Sequence, residues 1–294
     1  MGHKEPGAVA RAVRALIFLA GLILAVVALA SAQAQAPSPS PKEQPGAPAE
    51  PLQKPAVKPK EDIEEVEAKE RVPLITLPEE RVNYFYKAYG EKQEFLGSVE
   101  IKVERVDDVR LGKALSIARH MYFVTEEMRE VLIDPASYLP RRLTSQYLFD
   151  KPYDFSAEYY FDTIILRGSG ETYIYTNTLP NLKGSFDSEE LTYLVRAIDA
   201  SKLGDGKYML VNNAVNEQTY MVKVTAKPSS MILDEQGQAH DCIPIVLDYG
   251  TGSETYYVEK DPPRRFIEFN GGMMRITFDG EESVKENSKS KWLR

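Results

Sequence analysis

One cysteine, three histidines and one tryptophan are all that this 294-residue chain offers of those residue types. The single thiol, Cys242, excludes a disulfide within the chain, and a domain of this size builds a core without such staples. Its expected role is a partly buried core side chain. Positive charge is also in short supply: 36 Lys and Arg against 44 Asp and Glu give a net charge of −8. That balance argues against non-specific nucleic-acid binding, which depends on neutralising phosphates. The chain has no G-x-S-x-G, no P-loop, no dinucleotide fingerprint and no H-E-x-x-H. His, Cys and carboxylates crowd only at His240-Asp241-Cys242, with Asp248 nearby. Metal sites draw on spaced pairs, and neighbours on a strand point to opposite faces, so a loop entering a strand is the expectation there. His120 and His3 add nothing to it. With 44 carboxylates some pair will always resemble a glycosidase acid and base, so no such pair is singled out. The expectation is no catalytic residue, no metal ligand set and no cofactor.

The first quarter of the chain is unfit to pack a core. His3, Lys4, Arg11 and Arg14 precede an uncharged apolar run over residues 15–30, and small residues follow at Ala30-Ser31-Ala32, Ala32-Gln33-Ala34 and Ala34-Gln35-Ala36. This is the pattern of a secretory signal with A-x-A cleavage sites, so residues 1–36 are expected to be a signal peptide cleaved near Ala32 to Ala36. The run is also close to the length that spans a bilayer, which keeps open an uncleaved inner-membrane anchor contacting the membrane only through residues 15–30. No cysteine lies near for lipidation. Prolines at 37, 39, 41, 45, 48, 51, 55 and 59 then mark a linker. At about 3.1 Å per residue in polyproline II geometry it reaches on the order of 70 Å. The acidic run Glu61 to Glu67 reads as a short solvated helix, and residues 37–80 as a disordered linker.

From residue 81 to 280 the patterning is that of one β-rich domain. Val82, Tyr84 and Tyr86 alternate with more polar neighbours, and Val99-Glu100-Ile101-Lys102-Val103-Glu104 alternates strictly, which predicts an opening antiparallel pair. Ile117, Met121, Val124, Met128 and Val131 step by four or three and predict a helix stopped at Asp134-Pro135, although residues 114–123 read equally well as strand. Strands are expected at 143–149, 159–167 and 171–176, broken at Gly168-Ser169-Gly170. A second helix follows, capped by Asp187 with Glu190 completing a capping box and with Leu191, Leu194, Val195 and Ile198 on one face. It should end at Gly204-Asp205-Gly206. Further strands are expected at 207–212, 218–226, 243–249, 254–259, 266–270 and 273–278, with a hairpin at Asn270-Gly271-Gly272. Many strands without strand–helix alternation predict a mainly β fold: a curved antiparallel sheet forming a barrel or half-barrel with one or two packed helices. Residues 281–294 read as a charged tail.

Three stretches carry a family resemblance beside the opening tyrosine strand. They are Ile133-Asp134-Pro135-Ala136-Ser137-Tyr138-Leu139-Pro140-Arg141-Arg142, then Phe186-Asp187-Ser188-Glu189-Glu190-Leu191-Thr192-Tyr193-Leu194-Val195-Arg196, then Tyr256-Tyr257-Val258-Glu259-Lys260-Asp261-Pro262-Pro263-Arg264-Arg265. In their order, over residues 82–279, the chain resembles the bacterial domain-of-unknown-function family 3108. That resemblance implies a periplasmic β-rich fold of the kind that holds hydrophobic ligands, with no assigned activity and no catalytic residues to carry over. Pro262-Pro263 departs from the single proline or none expected there.

Aromatics are the more informative feature, with 17 tyrosines clustered on predicted strands. Core and cross-strand packing is the plainer reading. The functional one is a ligand cavity lined by Tyr84, Tyr86, Tyr159, Tyr173, Tyr175 and Tyr257. Arg141-Arg142 and Arg264-Arg265, each beside a proline-containing turn, are candidate contacts for an anionic group, against the plainer reading as solvated loop charges. The function expected is an exported, periplasmic, non-enzymatic module that binds a lipid or other apolar or amphipathic envelope molecule. The alternative is a tethered scaffold that recognises other envelope proteins. An outer-membrane barrel fits the alternation but not the two helices or the basic end, and a hydrolase ranks below it.

Overall fold

The computed structural model describes residues 71–148, 153–170 and 174–284. The expected signal segment, proline linker and acidic run lie outside the described residues, as do Phe149, Tyr173 and the chain beyond 284. Strands β1 (Val82–Gly90), β2 (Phe95–Asp108), β3 (Gly112–Tyr122), β4 (Glu126–Ile133), β5 (Pro140–Leu148), β6 (Tyr153–Tyr159), β7 (Thr163–Gly170) and β8 (Ile174–Pro180) form an antiparallel meander. A two-residue strand, β9 (Phe186–Asp187), leads through a 3₁₀ turn into the helix α1 (Leu191–Ala197). The chain then forms β10 (Lys207–Asn213), β11 (Gln218–Ala226), β12 (Ser230–Leu233), β13 (Ala239–Asp248), β14 (Ser253–Glu259), β15 (Phe266–Asn270) and β16 (Met274–Ser283).

All sixteen strands belong to one sheet, in the order β8-β7-β6-β5-β4-β3-β2-β1-β16-β15-β14-β13-β11-β10-β9, with β12 added to β13. The fold class is therefore the expected one: mainly β, a curved sheet that does not close, with a packed helix. The gap between the two edges is crossed by the chain itself. β9 leaves the β8 edge and pairs in parallel with β10, and the Asn177 amide of β8 donates to Glu217 across the gap at 2.5 Å. The Asn270-Gly271-Gly272 hairpin forms as expected, with Gly272 taking the positive φ of 82° that the tight turn requires.

Residues 117–131 are not a helix. They are β3, a turn at 123–125, and β4, which set Ile117 opposite Val131 and His120 opposite Met128. The helical spacing arose because a hairpin folds two period-two patterns against each other. The true period was hidden because Ser116, Ala118 and His120, on the outward side of β3, are buried as well. Asp187 does cap a helical segment, with both halves of the capping box made, but its first turn is 3₁₀ and α1 ends at Ala197, before a separate 3₁₀ turn at Ala200–Lys202.

Residues ahead of the expected boundary at 81 pack on the domain. Arg71 bridges Tyr208 in parallel, Leu74 bridges Ile198, and Leu77 is 7% exposed. This strap, residues 71–80, ends at Glu80, whose carboxylate receives two bonds from the buried Arg196 of α1 at 2.6 and 2.9 Å. The Arg196 guanidinium also lies 5.2 Å from the ring centroids of both Tyr84 and Tyr193. Next to the end of the strap β16 runs on to Ser283, opposite Val82, so the expected tail starts later than 281.

Glu80→Ala leaves Arg196 buried without its carboxylate and strips the Tyr84 hydroxyl of its acceptor. Loss of about 3 kcal/mol is expected in urea unfolding. The Glu79→Ala control, at a side chain 72% exposed, should change stability by less than about 0.5 kcal/mol.

Candidate functional site

The tyrosines expected to line a cavity do not meet around one. Tyr84 and Tyr86 sit on the inner face of β1, 3% and 2% exposed. Tyr86 packs against Phe266 and Phe278 at 5.1 and 5.8 Å between ring centroids. Tyr159 donates its hydroxyl to Asp187 at the start of the plug formed by β9 and α1. Tyr175 is half-buried, with its hydroxyl oxygen unpartnered among the described residues. Tyr257 is half-buried on the face of β14 opposite Tyr256 and Val258. Tyr173 lies outside the described residues. Inside the half-barrel the space left between Val99, Met121, Tyr256 and Phe266 is about 10 Å³, room for one water at most.

A polar network completes that filling. Arg119 and Arg129 face each other across β3 and β4 on the inner face. Each donates to a different oxygen of Glu189, and Arg129 also pairs with Glu127 and donates to the Tyr147 hydroxyl at 3.0 Å. Burial, followed by the neighbouring Glu189 charge, pushes the Asp187 carboxyl up to about 7, against the pull of the Tyr159 hydroxyl and the Glu189 N–H. Burial and then the Asp187 charge hold Glu190 well above the usual carboxylate range.

The four candidate arginines do not converge on one site, and each has internal partners. Arg141 binds Asp134 and the Leu111 and Lys113 carbonyls, and Arg142 reaches Asp108 at 2.9 Å. Arg265 makes a two-pronged pair with Glu259. Arg264 donates to the carbonyls of Arg196 and Ile198 at 2.6 and 2.9 Å, while Arg196 donates back to the Arg264 carbonyl at 2.8 Å. A cation on the last carbonyls of a helix satisfies groups that have no partner within it and complements its dipole. His240 lies between Glu259 and Asp234, 2.9 and 3.1 Å from its two ring nitrogens. Cys242 is fully buried, and burial pushes its thiol up to about 12, far from the ionised form a nucleophile needs. Among the described residues no group of three or more His, Cys, Asp or Glu is arranged to hold a metal ion.

A cleft does exist where the sequence placed linker. The Val72 N–H donates to the Tyr208 carbonyl at 3.1 Å, continuing the edge of β10. Pro73 has no N–H to extend this pairing, and its carbonyl instead accepts from Asp199 while Ile75 N–H donates to the Ala197 carbonyl. The strap thus turns from β10 toward the end of α1, and the wedge it leaves is a cleft of about 380 Å³. Leu74, Phe186, Met209, Leu210 and Met221 supply apolar walls, the turn 136–139 closes one side, and Arg71 and Lys183 stand in the lining. That turn is fixed by Asp134, which accepts from the N–H groups of Ala136 and Ser137 at 2.9 Å each. Tyr138, at φ 60°, accepts from the Leu77 N–H at 2.9 Å and holds the strap down. A second hollow of about 520 Å³ on the outer face of β5 to β8, lined by Thr144, Gln146, Ser156, Arg167, Ile174 and Thr176, is larger but shallower and more open to solvent than the cleft.

None of the cleft residues was a candidate site residue in the sequence, although Ala136 to Leu139 and Phe186 fall in the stretches that carry the family resemblance. The signal was present as the apolar positions Val72, Leu74, Ile75 and Leu77 around Pro73 and before Pro78, too short a run to stand out beside a proline-rich linker.

Glu254, 6% exposed, has its carboxyl pushed up to about 7 by burial, against the bonds donated by the Tyr249 and Tyr256 hydroxyls. An acid raised in the folded state contributes full stability below its unfolded value near 4.5 and loses it as pH rises toward 7. Glu254→Gln keeps an acceptor oxygen for both hydroxyls but never ionises. It should match the parent near pH 4 and exceed it by on the order of 2–3 kcal/mol at pH 8 in denaturant titrations.

No family model, curated protein or solved structure matches the chain, so the site is read from its own geometry.

Proposed function

We propose that this chain is an exported, non-enzymatic binding module of the bacterial cell envelope that holds an apolar or amphipathic envelope molecule. The observation that carries the reading is the cleft of about 380 Å³ between strap, turn 136–139 and β10, beside a half-barrel that leaves only about 10 Å³ between Val99, Met121, Tyr256 and Phe266. Its volume lies within the roughly 300–1,000 Å³ of small-molecule sites, and apolar side chains form its walls. The ligand position is thereby moved from the tyrosine strands to the cleft. Export rests on the basic start, apolar run and A-x-A sites of residues 1–36, with either periplasmic release or an inner-membrane anchor following from that segment. Among the described residues no helix is long and apolar enough to cross a membrane. The resemblance to family 3108 is part of the same proposal.

The tethered scaffold has one observation in its favour. β12 pairs with β13 and exposes Met231 and Leu233, at 62% and 60%, in the manner of a surface that meets another protein.

Native mass spectrometry with lipid extraction, on protein taken without detergent from the envelope of its host, separates the two. A stoichiometric apolar or amphipathic molecule is expected. A clean unliganded mass in a protein that captures other envelope proteins contradicts the binding module and supports the scaffold.

A further inference from the structure

We infer that the cleft selects an amphiphile with an anionic head group on a single apolar chain, its head group held at the rim by Lys183. The inference rests on the binding reading above and adds the chemical class of the ligand. In a chain of net charge −8, with 44 acidic residues, the cleft lining contains two cations and no carboxylate. Local potential in a concave, low-dielectric site follows the charges of its own walls, so the Lys183 ammonium counts for more at this rim than it would on open surface.

Lys183 lies exposed in the loop between β8 and β9 and has no ion-pair partner among the described residues. Arginines elsewhere contrast with it, since Arg141, Arg142, Arg196 and Arg265 each meet a carboxylate. The loop is held in place from the strap. Arg71 donates to the Lys183 carbonyl at 3.1 Å, and its guanidinium lies so close over Gly184 that a Cβ there would come within 2.8 Å of it. Gly184 has φ of 79°, which favours glycine independently of that contact. Arg71 and Lys183 are therefore neighbours in the cleft lining, which also includes Tyr208. Walls of Leu74, Phe186, Met209, Leu210 and Met221 take the chain, while the head group stays at the wet rim and avoids the cost of burying a charge. Affinity then comes from apolar burial and selectivity from the ammonium.

Isothermal titration of the purified full chain with dodecanoate, dodecanol and dodecyltrimethylammonium, each below its aggregation concentration, tests the inference. Dodecanoate should bind roughly fivefold or more tightly than dodecanol, and the cation weakest. Lys183→Ala should remove most of that preference and leave dodecanol binding unchanged. Met221→Glu, at a wall residue 47% exposed and so tolerant of charge, should weaken dodecanoate and dodecanol without lowering the melting temperature. Equal binding of acid and alcohol, or a preference that survives Lys183→Ala, overturns the head-group inference and leaves the binding module standing. Binding indifferent to Met221→Glu places the ligand outside the cleft and overturns the inference. Binding of none of the three overturns the inference together with the reading beneath it.

Discussion

Two arginines facing each other across adjacent strands set the terms for this fold. Like charges directly opposite on one face of a sheet repel, and on an inward face they are also deprived of water. Arg119 and Arg129 are tolerated because Glu189 descends from the plug and gives one carboxylate oxygen to each, with Glu127 adding a second acid on β4. Removing Glu189 would leave Arg119 buried without an acid partner and Arg129 with Glu127 alone. The plug is therefore electrostatically keyed to the meander, and Leu191, Leu194, Val195 and Ile198, all at 1% exposure or less, add about 1.5–3 kcal/mol each by burial. A half-barrel of this kind has an inner surface fit to hold a ligand, but here a segment of the same chain occupies it.

The other end of the plug determines where free space remains. α1 ends against the strap and the turn between β14 and β15: Glu80 takes Arg196, Arg264 takes two terminal carbonyls, and Ile75 takes a third. The strap must satisfy both β10 and α1, and Pro73 marks the point where it changes allegiance. A chain segment that bridges two non-parallel partners cannot lie flush on both, and the cleft is the resulting gap. Its apolar walls follow from its origin, since they are the sides of core elements left uncovered.

The fold class was legible because most strands alternate cleanly, as at Val99 to Glu104, and because Asp187 and Glu190 announce a helix start by local chemistry alone. Residues 117–131 misled because the outward side of β3 is covered, so the polar half of the pattern was missing. The site was less legible for a different reason. Arg264 and Arg265 looked like free charges because nothing in sequence shows that one lies on helix carbonyls and the other on Glu259. The tyrosines left core packing and cavity lining open because an aromatic that packs a core and one that lines a space have the same spacing. Glu80 and Leu77, next to a proline linker, gave no local sign that they would be clamped by residues more than 60 positions away.

The central claim is that the interior is closed by the plug and that binding belongs to the cleft at the strap. Methionine methyl groups report on both places: Met209 and Met221 line the cleft, and Met121 borders the filled interior. The most direct measurement is a ¹³C-methyl-methionine NMR titration of the intact protein with dodecanoate. The account predicts saturable shifts at Met209 and Met221 with Met121 unmoved. A saturable shift at Met121, with Met209 and Met221 unmoved, would show that the plug yields and that the half-barrel interior is the binding site.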